Sequence, residues 1–311
     1  TALSMSMHRV LAPLAIAVAV QALPTFANLT ATTLAPEILA ELGLPGGAAN
    51  GYVFVLYGVA TLASFVAAGC VLKLGPIRAS QSALLLYLMG AALAAAAPTT
   101  LGFIGAAMLF GLGYTMPIPA GAQILLANTP PHLRNTLFGV RQMGVPLGGL
   151  MAGLLFPPIA ETFGWRSAFV VTGSACLALA LLLQPARRRY DRDRAPGVSL
   201  LRNGGHGPIA VLRAAPALRR LGLAGLLFAG TEVTAVANIV LFLERGHGWS
   251  LTQAGYGLGV LSIGGAIGRL FWGMAADRVS SRGRLLGWLG LAMAASMAGR
   301  ATASGAAPEL A

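Results

Sequence analysis

The chain has 311 residues, of which 56% are hydrophobic and only 10% charged, against about 25% charged in a soluble domain. That deficit excludes a water-soluble fold, because too little polar surface exists to cover one. The net charge of +12 comes mostly from arginines set between apolar runs, so it reports orientation in a membrane and no nucleic-acid partner.

A bilayer-spanning helix needs ~20 predominantly apolar residues. Nine segments approach that length, at roughly 10–34, 51–72, 79–97, 101–126, 137–160, 166–184, 221–243, 252–272 and 284–300. The first contains Pro13 and Pro24, is long for a signal peptide and lacks a convincing cleavage site; it reads as a retained span. The connecting loops alternate in charge. One set carries Arg9, Lys73, Arg78, Arg134, the run from Arg187 to Arg220, and Arg278, Arg282 and Arg284. The other carries Glu37 and Glu41, Glu161 with Arg166, and Glu244 with Arg245. The basic side is expected in the cytoplasm, together with the N-terminus, and the membrane is expected to be a bacterial inner membrane. The predicted architecture is an all-α helical bundle. It comprises a six-helix unit (1–184), a basic linker (185–220) and a partial second unit of about three helices (221–311).

Glycine is used 41 times. In the fifth span Gly144, Gly148, Gly149 and Gly153 form overlapping small-xxx-small stripes, and Gly264 and Gly268 do the same in the eighth. Such stripes let helix backbones approach closely in lipid, and at corresponding places in two bundles they suit surfaces that rock against each other.

Polar groups within the spans are the functional candidates. Glu232 falls at the centre of the seventh span, where a charge costs ~2.5–3.5 kcal/mol, so it should face protein or a water-filled cavity. Burial raises a carboxylate's pKa, which makes Glu232 a candidate for proton coupling, a substrate contact being the alternative. Asn238, six residues on, leaves the helix on a different face and is a further polar candidate. Arg141, beside Gln142 about one turn into the fifth span, would grip a carboxylate if it lines a cavity, or snorkel to headgroups if it does not. Gln21 and Asn28 lie seven apart on one face of the first span and, with Gln123 in the fourth, offer hydrogen bonds to a solute or between helices. Arg269, near the basic end of its span, reads as structural. Cys70 and Cys176 sit in apolar segments as packing residues, and no catalytic cluster, metal set or cofactor motif is found.

Residues 273–278 read Gly-Met-Ala-Ala-Asp-Arg, followed by Arg282 and Arg284 and preceded by Gly268-Arg269 and Trp272. This resembles the Gly-x-x-x-Asp-Arg signature of the major facilitator superfamily, which recurs after the second and eighth helices. A degraded first copy keeps Lys73, Gly75 and Arg78 but has Leu72 where the family has aspartate. The fifth span is similar to the family's glycine-proline motif with its proline, Pro146, one place late, and Gly164-Trp165-Arg166 before the sixth is also familiar there. The resemblance implies a monomeric secondary transporter working by alternating access, with Gly273, Asp277 and Arg278 in a loop latch on the outward-facing state. A carboxylate such as Asp277 beside a helix N-terminus gains ~0.3–1 kcal/mol from the macrodipole. It also implies twelve spans, so the chain reads as truncated after about nine. The expected cargo is a small solute, weakly an organic anion and with protons as a co-substrate; a drug or metabolite antiporter, and a sensor retaining the fold without transport, remain the alternatives.

Overall fold

In the computed structural model, residues 2–96, 99–130, 133–198, 200, 215–278 and 282–304 are described; the side chains of 2–9, 135, 270, 273–282, 285 and 297–304 are not. Every regular element among the described residues is helical. Lipid forces this outcome: an apolar backbone segment must satisfy its own N–H and C=O groups, and a helix does so without a neighbour.

Helix α1 (Ala2–Thr33) runs the full depth with Pro13 and Pro24 inside it. A short helix α2 (Ala35–Leu42) follows, capped by Gly43 at φ 63°. Helix α3 (Gly47–Leu74) ends at Gly75, whose φ of 92° is open to glycine and strained for any other residue. Helix α4 (Pro76–Ala96) returns. The fourth expected span is two helices, α5 (Thr100–Tyr114) and α6 (Pro117–Asn128), because Pro117 has no N–H to continue α5 and instead starts α6. The fifth is likewise divided into α7 (Arg134–Gln142) and α8 (Gly144–Phe163) at Met143. Gly164, at φ 78°, turns the chain into α9 (Trp165–Leu182).

The expected linker is partly structured. Residues 187–190 form one helical turn, α10 (Arg187–Tyr190), and residues 216–220 already belong to α11 (Pro216–His247). Helices α12 (Leu251–Arg278) and α13 (Arg282–Ser304) complete the described chain. Seven segments among the described residues are long and apolar enough to cross a membrane, the last being Pro216–His247. The expected eighth and ninth spans are present as helices but fall outside that set. In both helices some side chains, at 270 and 273–278 of α12 and at 282, 285 and 297–304 of α13, lie outside the described residues.

The core is small residues and stacked aromatics: Phe26 lies on Phe156 at 4.3 Å, and Tyr87 meets Phe110 at 4.9 Å. Large apolar side chains cover the outside, Phe54 at 79% exposure and Leu101 at 80%, as expected where hydrocarbon replaces water. Acidic loops meet at one end. Burial and the neighbouring carboxylates of Glu161 and Glu244 raise the pKa of Glu37. Glu41 of α2 accepts from the Trp165 indole N–H at 2.6 Å and pairs with Arg166, whose guanidinium stacks 4.5 Å from the Trp165 ring. The opposite end is basic.

The glycine stripes behave differently from expectation. Gly144 and Gly148 face α1: a Cβ on Gly144 would stand 2.9 Å from the Val18 carbonyl, and one on Gly148 would collide with the Ala22 carbonyl. Gly149 and Gly153 face α12, against Ser262 and the Gly255–Gly259 backbone respectively, in the most extensive helix contact of the molecule. Gly264 and Gly268 were expected to pack and meet no neighbouring helix among the described residues. A Cβ on Gly264 meets nothing within 4 Å, and Gly268 has only Trp272 of its own helix at 4.0 Å. The close approach belongs to Gly255 and Gly259, because α8 crosses α12 two turns nearer the acidic end.

Candidate functional site

Helices α1, α3, α5, α6, α7, α8, α11 and α12 contribute to the wall of a cavity of about 290 Å³ midway along the bundle. Its polar lining is Gln21, Asn28, Gln142, Glu232 and Arg269, interleaved with Tyr52, Tyr57 and Tyr114. A second lobe of about 420 Å³ shares Glu232 and Arg269 and extends to Pro146, Gly149 and Gly264. Gly264 is thus bare because it opens onto this space.

Glu232 faces the cavity, as its cost in hydrocarbon requires, and accepts from Arg269 Nη2 at 2.5 Å. Arg269, read from the sequence as structural, is therefore the counter-ion on the cavity wall. The pair joins α11 to α12 and lies opposite α1. From α1, Asn28 Oδ1 accepts from the Tyr87 hydroxyl at 3.1 Å, while its Nδ2 is buried beside the cavity without a partner among the described residues. That orphan donor is costly unless a ligand or water meets it.

Arg141 is elsewhere. It neither lines the cavity nor snorkels: at 4% exposure it points inward from α7, and Nη2 donates to Gln21 Oε1 at 2.8 Å and to the Ile118 carbonyl at 3.0 Å. It fits there because position 121 is glycine, where a Cβ would stand 2.7 Å from Arg141 Nε. It meets the cavity lining through Gln21 and Ile118. Gln142, the next residue, does reach the cavity. Gln123 is half-buried and absent from the lining, and Asn238 donates to the Thr234 carbonyl of its own helix at 3.0 Å, away from Glu232. The three tyrosines were missed because aromatics in spans look like packing or interface groups. Only a three-dimensional neighbour distinguishes them, such as Tyr57 against Tyr114 at 5.4 Å.

At the basic end, the first-half signature residues surround a carboxylate that is distant in sequence. Asp191 accepts from the Ile77 and Arg78 N–H groups at 2.8 and 3.2 Å, with Arg78 Nε at 3.8 Å, and is 6% exposed. It caps α4 and sits against Gly75, where a Cβ would overlap it. Desolvation raises its pKa, against the lowering pull of those N–H groups and Arg78. The acid lacking at Leu72 is thus supplied from beyond α10, while Lys73 stays exposed in the last turn of α3. In the second copy, the backbone of Gly273, Asp277 and Arg278 continues α12 to its end, so the motif lies in a helix C-terminal turn and not in the expected loop. The side chains of these three lie outside the described residues.

The family description Major Facilitator Superfamily matches residues 14–306. The chain belongs to the major facilitator superfamily. It is a multi-pass membrane protein of a transporter family, as the Asp277 motif implied. An uncharacterized MFS-type transporter of Mycobacterium tuberculosis is 30% identical over 212 residues, 67% of this chain and 45% of that protein. An MFS-type efflux pump of Mycolicibacterium smegmatis is 30% identical over 188 residues, 57% of this chain and 42% of that protein. The matched stretches thus span less than half the length of these relatives. The fold is shared with a bacterial homologue of the human lysosomal transporter Spinster in an inward-facing, occupied conformation, with TM-score 0.68 at 18% identity, over 86% of this chain and 62% of that one.

Proposed function

We propose that this chain moves a small organic anion across a bacterial inner membrane by alternating access, coupled to protons, with its N-terminus and basic end in the cytoplasm. The observation that carries the reading is the Glu232–Arg269 pair on the wall of a cavity at mid-membrane depth. A proton on Glu232 removes the counter-charge from Arg269 and leaves a guanidinium free to grip an anion in two-pronged fashion. Loss of the proton restores the pair and competes the anion away. Asn28 Nδ2 and Gln21 then supply hydrogen bonds on the α1 side. The arrangement makes proton and anion binding mutually supportive, which is the linkage a coupled carrier needs. The efflux-pump name of the Mycolicibacterium relative favours export.

The test is solute exchange by the full-length protein in proteoliposomes, with and without a pH gradient. Glu232→Gln should keep exchange but abolish its response to the gradient, and Arg269→Gln should lower anion affinity at least tenfold. Exchange that ignores the gradient in both the unaltered protein and Glu232→Gln excludes proton coupling.

A further inference from the structure

Toward the acidic end, a second cavity of about 280 Å³ adjoins the polar one. Its wall is almost wholly apolar, built by Ile38, Leu39 and Leu42 of α2, Val55 of α3, and Phe103 and Ile104 of α5. The two cavities share Thr32 and Tyr52. Tyr52 stands at that common wall, and its hydroxyl is buried without a hydrogen-bond partner among the described residues, its ring held edge-on to Phe103 at 6.5 Å. A lone orphan hydroxyl between an apolar chamber and a charged one is an expensive arrangement for an empty protein. It suits a ligand that crosses the boundary.

We propose that the transported solute is an amphipathic organic anion, whose charged head sits between Arg269 and Asn28 and whose hydrocarbon tail passes Tyr52 into the apolar chamber. The proposal rests on the transporter reading and adds the class of substrate to it. Adjacency of the chamber to the polar cavity, across Thr32 and Tyr52, selects this occupant over a free-standing apolar ligand, since a ligand confined to the chamber would leave the Tyr52 hydroxyl unused. α2 roofs the chamber with Ile38 and Leu39, which are themselves buried, so a tail lodged there is screened from the acidic loops above. The length of the tail, more than the identity of its head, then sets affinity.

Gly51 provides the test, because it lines the chamber and a Cβ there meets nothing within 4 Å, so a large side chain is accommodated at the chamber wall without displacing backbone. Binding of the n-alkyl carboxylates from acetate to decanoate is measured calorimetrically on the purified full-length protein and on Gly51→Phe, in the same detergent. The unaltered protein should gain about fourfold in affinity per methylene, from ~0.8 kcal/mol per buried CH₂, until the chamber is full. In Gly51→Phe the gain should stop several methylenes earlier while acetate binding stays within twofold. Partition into detergent is common to both proteins and cancels in the comparison. Identical chain-length dependence in the two, with acetate binding still lowered by Arg269→Gln, overturns the proposal and leaves the transporter reading intact. Acetate binding that ignores Arg269→Gln removes that reading and the proposal together. A phospholipid retained by the unaltered protein and lost from Gly51→Phe in native mass spectrometry also overturns it, by assigning the chamber to lipid.

Discussion

Arg141 and Glu41 illustrate how context decides the worth of a charge. Arg141 is fully enclosed, so its two hydrogen bonds stand in for water it has lost, and each bond from a charged donor is worth ~1.5–3 kcal/mol. Arg141→Ala should lower thermal stability by about 2 kcal/mol and weaken solute binding, because Gln21 loses the group that orients it. Arg141→Lys should recover part of the stability; recovery of binding as well would show that charge alone suffices. Glu41 is exposed, and its carboxyl is held below the ordinary value first by the Trp165 N–H and then by Arg166. A depressed carboxylate stabilises the fold above its unfolded pKa and loses that contribution as pH falls through the folded one. The melting temperature of Glu41→Gln should therefore lie below that of the unaltered protein at pH 7, with the gap closing under acid. A gap that is constant with pH would assign the effect to packing. The sequence left Arg141 between a cavity wall and the headgroups and named Glu41 only as a loop acid, because helix spacing cannot say which of two adjacent side chains faces inward or what meets a loop charge.

At the scale of elements, hydrophobic length made the crossings legible, because lipid permits few alternatives to a helix. What it could not show was the break at Pro117 inside an apolar run, or which helix each glycine meets. Gly148 and Gly264 look alike in sequence, yet one touches the α1 backbone and the other opens onto the cavity. Gly148→Ala should cost about 1–3 kcal/mol, since the opposing atom is a carbonyl that cannot swing away. Gly264→Ala should be neutral or gain ~0.5–1 kcal/mol from helix propensity. Thermal unfolding in one detergent compares them directly, and equal costs would show that α8 and α1 can part without penalty. Asp191 is the other kind of omission. It lies 114 residues from Ile77, and no local pattern connects a carboxylate after the ninth helix to the start of the fourth.

For the molecule as a whole, the question is whether the α8–α12 seam rocks or stays shut. Two features close it at the acidic end: Gly153 lies on the Gly255–Gly259 backbone, and Glu161 accepts from both the N–H and the hydroxyl of Thr252, at 3.0 and 2.8 Å. Near the cavity the same helices are separated by open space alongside Gly264 and Arg269. A seam tight at one end and open in the middle is the shape the proposed carrier takes when access is from the opposite end. The proposed alternating access requires the Glu161–Thr252 contact to break once per cycle. Cysteines placed at 161 and 252, in a full-length protein with Cys70 and Cys176 replaced by alanine, should form a disulfide on oxidation, stop solute exchange at least tenfold, and release it on reduction. If the oxidised protein exchanges solute at the rate of the reduced one, α8 and α12 move as a single body. The rocking surface must then lie elsewhere, and the glycine stripe of α8 is packing alone.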